Sequence, residues 1–141
     1  MKHILAAVDL SPIAPIVAKR ARALADLFGS KLSLVHVLEY HPIVYSGSEF
    51  SMPLDNSVME VFEKQAQEAL RKLGAEINVP KAQQYLEMDS VKQAVVNLAE
   101  KLKVDLIVIG SHGRHGAALL LGSTANAILH TAKCDVLAVR V

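Results

Sequence analysis

The chain has one cysteine, Cys134, in 141 residues, so no disulfide can form within it. A small secreted domain would usually carry several, and the scarcity points to a reducing, cytoplasmic setting. Charge of one sign is missing too: basic and acidic side chains nearly balance, for a formal net charge of +1. That argues against a global electrostatic pull toward nucleic acid or an anionic membrane. No stretch approaches the roughly 18 apolar residues of a membrane span. The opening MKHILAAVDLSP has too short an apolar run for a signal peptide and leads directly into patterned structure. Repeats, low-complexity tracts and linkers are absent as well. What is present is 52% hydrophobic and 21% charged, the composition of an ordinary globule. The expectation is one domain over residues 1–141, with neither nucleic acid nor membrane as a partner.

Strand-like and helix-like segments alternate along it. Residues 4–8 (ILAAV) form a short apolar run, and Asp9-Leu10-Ser11-Pro12 follows. Ser11 is expected to cap a helix with Pro12 in its first turn. The helical run ends at Gly29. Residues 32–38 (LSLVHVL) read as a second strand, and residues 39–55 as a long loop. Residues 56–77 predict an amphipathic helix with Val58, Val61, Phe62, Ala66, Leu70 and Leu73 on one side. A weaker strand over 82–88 precedes a helix capped by Ser90. Residues 105–110 (DLIVIG) read as a central parallel strand, apolar on both faces. A short helix over 123–132 and a last strand over 135–141 complete the pattern. The alternation predicts an α/β fold, a parallel sheet between helices with right-handed crossovers. Ligands in such sheets bind beyond the carboxyl ends of the strands, where the strand order reverses.

Two loops fall at that edge, residues 9–11 and residues 110–123. In the second, Gly110 ends a strand and can turn the chain without Cβ strain. Gly113 and Gly116 let backbone N–H groups approach an anion. Gly122, Ser123 and Thr124 open a helix whose N-terminal dipole favours phosphate, and Arg114 is the nearest cation. The plain alternative is that the glycines only shape a strand–helix connection. The buried strand before the loop and the Ser-Thr helix start after it favour phosphate binding. It is neither a Walker A loop nor a GxGxxG fingerprint.

Other chemistry is sparse. His36 sits in an apolar strand and reads as a satisfied core histidine, whereas His112 and His115 lie in the loop and could meet phosphate or water. Histidines so scattered, without acidic partners, make poor zinc ligands. No nucleophile–base pair and no Gly-x-Ser-x-Gly elbow is visible, and Cys134 reads as packed rather than reactive.

With these residues in view, the chain resembles the universal stress protein family over essentially its whole length. HILAAVDLSP is similar to the family's first strand and turn, LSLVHV to its second strand. DLIVIGSHGRHG and LLLGSTANAILHTAKCDVLAVRV are similar to its fourth strand through its last. The resemblance implies a three-layer, adenine nucleotide alpha hydrolase-like sandwich with a five-stranded parallel sheet in the order 3-2-1-4-5. It also implies a cytoplasmic homodimer acting in stress tolerance or signalling, with a protein partner that the residues do not name. Members that bind ATP carry G-x2-G-x9-G-[ST]. Gly110, Gly113, Gly122 and Ser123 match its ends, but residues 114–121 are one fewer than the signature asks.

By that resemblance Ala7, Val8 and Asp9 would line the adenosine, Val37 would meet the base, and Ile109 and Gly110 would lie under the nucleotide. Gly113, Gly122, Ser123 and Thr124 would hold the phosphates of ATP or AMP, with His112, Arg114 and Gly116 beside them. Val8, Val37 and Ile109 suit a purine slot, and Asp9 offers an acceptor for a ribose hydroxyl or for water-bound Mg2+. The last strand, 135–141, would be an apolar edge, a natural site for homodimer pairing. Two alternatives stand beside a regulatory nucleotide. One is slow ATP hydrolysis or adenylate transfer using Asp9, His112 or His115; the other is a dimeric interaction module that has lost its nucleotide.

Overall fold

Five short segments become parallel strands, the middle three covered on both faces and the outer two partly exposed at the edges. They are β1 (His3–Ala7), β2 (Lys31–Leu38), β3 (Gln84–Met88), β4 (Leu106–Gly110) and β5 (Asp135–Val139). The computed structural model describes residues 1–39, 56–112 and 122–141. Of the loop expected over 39–55, residues 40–55 lie outside the described residues, as do the candidates Gly113, Arg114, His115 and Gly116. The sheet order is β3-β2-β1-β4-β5, every pairing parallel, as expected. Among the described residues four helices connect the strands: α1 (Ala14–Phe28), α2 (Asn56–Glu76), α3 (Val91–Lys101) and α4 (Ser123–Thr131).

Alternation along the strands divides the core into two layers. Ile4, Ala6, Leu34 and Val108 point to the α1 and α2 side, where Ala18, Ala21, Leu70 and Leu73 cover them. Leu5, Val35 and Ile107 point the other way, under Val95 and Leu98 of α3 and Ile128 of α4. Leu5, Leu34 and Ile107 are fully buried, each contributing about 1.5–3 kcal/mol of burial. The helix ends follow local rules where the side chains allow it. Ser90 caps α3 by accepting a hydrogen bond from the Gln93 N–H at 3.3 Å. Gly29 closes α1 in the left-handed region, with φ of 64°.

Several boundaries differ from expectation. Ser11 does not cap α1: Ile13 is the N-cap residue, without a side-chain cap bond, and Pro15 falls in the first turn. A start at Pro12 would have put Pro15 at the fourth helical position, where its N–H is needed. In α2 only Ala66, Leu70 and Leu73 sit on the core, while Val58, Val61 and Phe62 are exposed; the helix packs on β2 and β3 through its later turns. The segment before β3 is a 3-10 turn, Lys81–Gln83. The last strand ends at Val139 rather than 141, leaving Arg140 and Val141 beyond it. Among the described residues, no helix is long and apolar enough to cross a membrane.

Candidate functional site

The strand order reverses between β1 and β4, so the connections leaving their carboxyl ends diverge to opposite faces of the sheet. A cleft of about 400 Å³ opens there. β1 and its following turn contribute Ala7, Val8 and Asp9; β2 contributes Val37; β4 contributes Ile109 and Gly110. The connection out of β4 adds His112, and the start of α4 adds Gly122, Ser123 and Thr124. Every described residue expected at the site therefore lines one cavity.

Its floor is apolar. Val8, Val37 and Ile109 are buried, and Ile128 and Val95 close the cleft from the α3 and α4 side. Its rim is polar. The Asp9 carboxylate accepts the Ser11 N–H at 3.0 Å, an Asx turn that folds the loop back beyond β1. Between them Leu10 takes φ of 58°, a left-handed conformation costing a leucine roughly 1–2 kcal/mol. Leu10 recovers some of this by packing against the α1–α2 core layer. α4 begins at the rim with Gly122 as N-cap and no acidic residue in its first turn, and among the described residues no side chain caps its positive end.

Gly110 ends β4, as expected, but not by turning the chain: it is paired with Val139 and its φ is not positive. A Cβ there would come within 3.3 Å of Val17 Cγ2 and 3.4 Å of the His112 carbonyl oxygen. Close approach, not a turn, accounts for the glycine.

Further residues line the cleft that sequence reasoning did not assign to it. His36 is half-buried and its Nδ1–H donates to the Val8 carbonyl at 2.8 Å, bracing the end of β1. It is a satisfied histidine near the site, as expected, but it lines the cleft half-buried instead of sitting in the core. Glu39 accepts the Val91 N–H at 3.3 Å, tying the end of β2 to the start of α3. Ser111 and Val91 also face the cavity. These contacts join residues far apart in the chain, which no local motif signals. Among the described residues no group of three or more His, Cys, Asp or Glu could hold a metal. Cys134 lies away from the cleft, and burial pushes its thiol up, which suits a packing role.

The fold and cleft define a doubly wound α/β protein with a ligand-sized cavity at its switch point. The universal stress protein family model matches residues 1–140, and the chain belongs to that family. It is 49% identical over 138 residues to Universal stress protein A homolog 1 of Coxiella burnetii, covering 98% of this chain and 95% of that one. Universal stress protein UspA from Lactobacillus plantarum has the same fold, with a TM-score of 0.78, 23% identity and coverage of 99% and 97%. A universal stress protein solved in complex with cAMP superposes with a TM-score of 0.67 at 22% identity, covering 99% of this chain and 96% of that one.

Proposed function

We propose that the protein binds an adenine nucleotide, ATP or AMP, in the switch-point cleft, and that the nucleotide is a regulatory ligand in a cytoplasmic, homodimeric stress-response protein. The observation that carries this reading is the composition of the cleft: an apolar floor of Val8, Val37 and Ile109 beside the uncapped N-terminus of α4. A flat apolar slot suits a purine, and free N–H groups at a helix start suit phosphate. Asp9 lines the same cleft, and its carboxylate can accept a hydrogen bond from a ribose hydroxyl. Magnesium enters only as the counter-ion of ATP, held by the phosphates, with Asp9 reaching it through water. Phosphate bound at this edge would alter a surface offered to a protein partner.

The test is mass spectrometry of nucleotide released from purified protein, together with thermal unfolding in millimolar ATP, AMP and cAMP. A universal stress protein of the same fold was solved in complex with cAMP, and cAMP is therefore among the nucleotides tried. Ligand at about 100 times its Kd should stabilise the fold by roughly 2.7 kcal/mol. No released nucleotide and no shift with any of the three would leave an interaction module as the function.

Dimerisation through β5 is the second element of the reading. It is an edge strand with Leu137 exposed. Light scattering at micromolar concentration should give twice the chain mass; a monomer would remove the dimer from the reading.

A further inference from the structure

Ser111 is the first residue after β4, it is buried, and its hydrogen bonds are almost completely specified. Its N–H donates to the Val139 carbonyl at 2.8 Å, and its own carbonyl accepts the Gly122 N–H at 2.7 Å. Its Oγ accepts the Val141 N–H at 3.3 Å and lies 3.0 Å from Nδ1 of His112. The other ring nitrogen, Nε2, is buried without a partner among the described residues, and His112 lines the cleft.

Counting donors decides the tautomer. A serine hydroxyl has one hydrogen and two lone pairs. If His112 Nδ1 carried the proton, it would donate to Ser111 Oγ, and the hydroxyl hydrogen would have no acceptor among the described residues. If the hydroxyl donates to Nδ1, both contacts of Oγ are satisfied at once, one as acceptor and one as donor. The neutral ring then carries its hydrogen on Nε2. A buried N–H left without an acceptor is costly, and a ligand oxygen would relieve that cost. The Gly122 N–H bond to the Ser111 carbonyl ties this pair to the start of α4, where phosphate is favoured.

We infer that Ser111 holds His112 as the Nε2–H tautomer, and that this N–H is a side-chain donor to a phosphate oxygen of the bound nucleotide. Ser111 is a positioning residue, anchored to β5 and its continuation through Val139 and Val141. The inference rests on the nucleotide reading of the cleft, so its test separates the two. Long-range 15N NMR of the full chain without nucleotide, at about pH 8 where an ordinary imidazole is neutral, should show His112 protonated on Nε2. Ser111→Ala should lose that preference and weaken ATP or AMP binding by about tenfold, whereas Ser111→Thr, which keeps the hydroxyl, should restore both. His112→Gln, which keeps an N–H at similar reach, should lose less affinity than His112→Phe. An Nδ1–H tautomer in a chain that binds nucleotide would overturn this inference alone, as would Ser111→Ala binding as tightly as the parent. An Nε2–H tautomer in a chain that binds none of ATP, AMP or cAMP would overturn the nucleotide reading and the donor role with it.

Discussion

At the amino ends of the strands, His3 Nδ1–H donates to the Leu102 carbonyl at 3.3 Å and Nε2 accepts from Ser33 Oγ at 2.8 Å. Beside it the Asp105 carboxylate accepts the N–H groups of Lys2 and His3, at 2.7 and 2.9 Å. At the carboxyl ends the same sheet leaves two buried polar atoms without partners among the described residues, Ser11 Oγ and His112 Nε2. They follow β1 and β4, the two strands on either side of the switch point. The opposite ends of one set of strands thus differ in what they leave undone. A satisfied network at one end adds stability and specifies register, and unspent donors at the other end are capacity for a ligand.

If the division is right, changes at the two ends should move different quantities. The largest effect is expected from Ser33→Ala, which removes the donor from a buried pair and leaves His3 Nε2 an unmet acceptor. The cost should be roughly 1–3 kcal/mol of stability in urea unfolding, with nucleotide affinity unchanged. A comparable loss of affinity would mean that the two ends are coupled and would break the comparison. Next is Ser123→Asp, at the exposed first position of α4, a helix with no acid in its first turn. A carboxylate there should raise stability by about 0.3–1 kcal/mol through the helix dipole. It should also repel phosphate and weaken ATP binding by about tenfold or more, read by calorimetry. Stability and affinity moving in opposite directions at one residue would sharpen the contrast; both unchanged would remove α4 from the site.

How much of this was legible in the sequence follows the range of each interaction. The apolar runs of β1, β2 and β4, Gly29 as a helix stop and Ser90 as a cap are local signals, and they sit where local rules place them. The start of α1 was misplaced because two prolines competed for its first turn, and only one could take it. The exposed half of the α2 stripe was not legible either, since periodicity reports an apolar face without saying how much of it meets a sheet. At the site, the described candidates were found from glycines, strand ends and family resemblance, and they share one cleft. Leu10 gave no sign of a positive φ, because a leucine there is held by its packing and by the Asp9–Ser11 bond. His36 with Val8, Glu39 with Val91 and Ser111 with Val141 are contacts between distant segments, so only the assembled sheet reveals them.

The smallest effect expected is a pH dependence confined to the amino end. Burial holds the His3 imidazole below its ordinary value, against the hydrogen bond to the Leu102 carbonyl, which raises it; Lys31 nearby lowers it further and Asp105 raises it. The folded chain therefore binds this proton less readily than the unfolded chain does. Above the ordinary imidazole range both states are neutral and His3 adds no slope. As pH falls below about 6.5 the unfolded state takes up the proton first, so stability declines toward the folded value and then levels. Asp105 acts in a separate window: hydrogen bonds from the His3 and Lys2 N–H groups hold its carboxyl down, so its contribution is present above about pH 4 and lost below it. Urea unfolding of the parent and of His3→Gln between about pH 8 and pH 5.5 should differ in slope, the variant being flatter. The difference should persist in saturating nucleotide, because His3 and the cleft lie at opposite ends of the strands. Identical slopes would mean that the His3–Ser33 pair accepts a proton at no cost, for instance by reversing its hydroxyl, and the amino end would then be less rigidly specified than its hydrogen bonds imply.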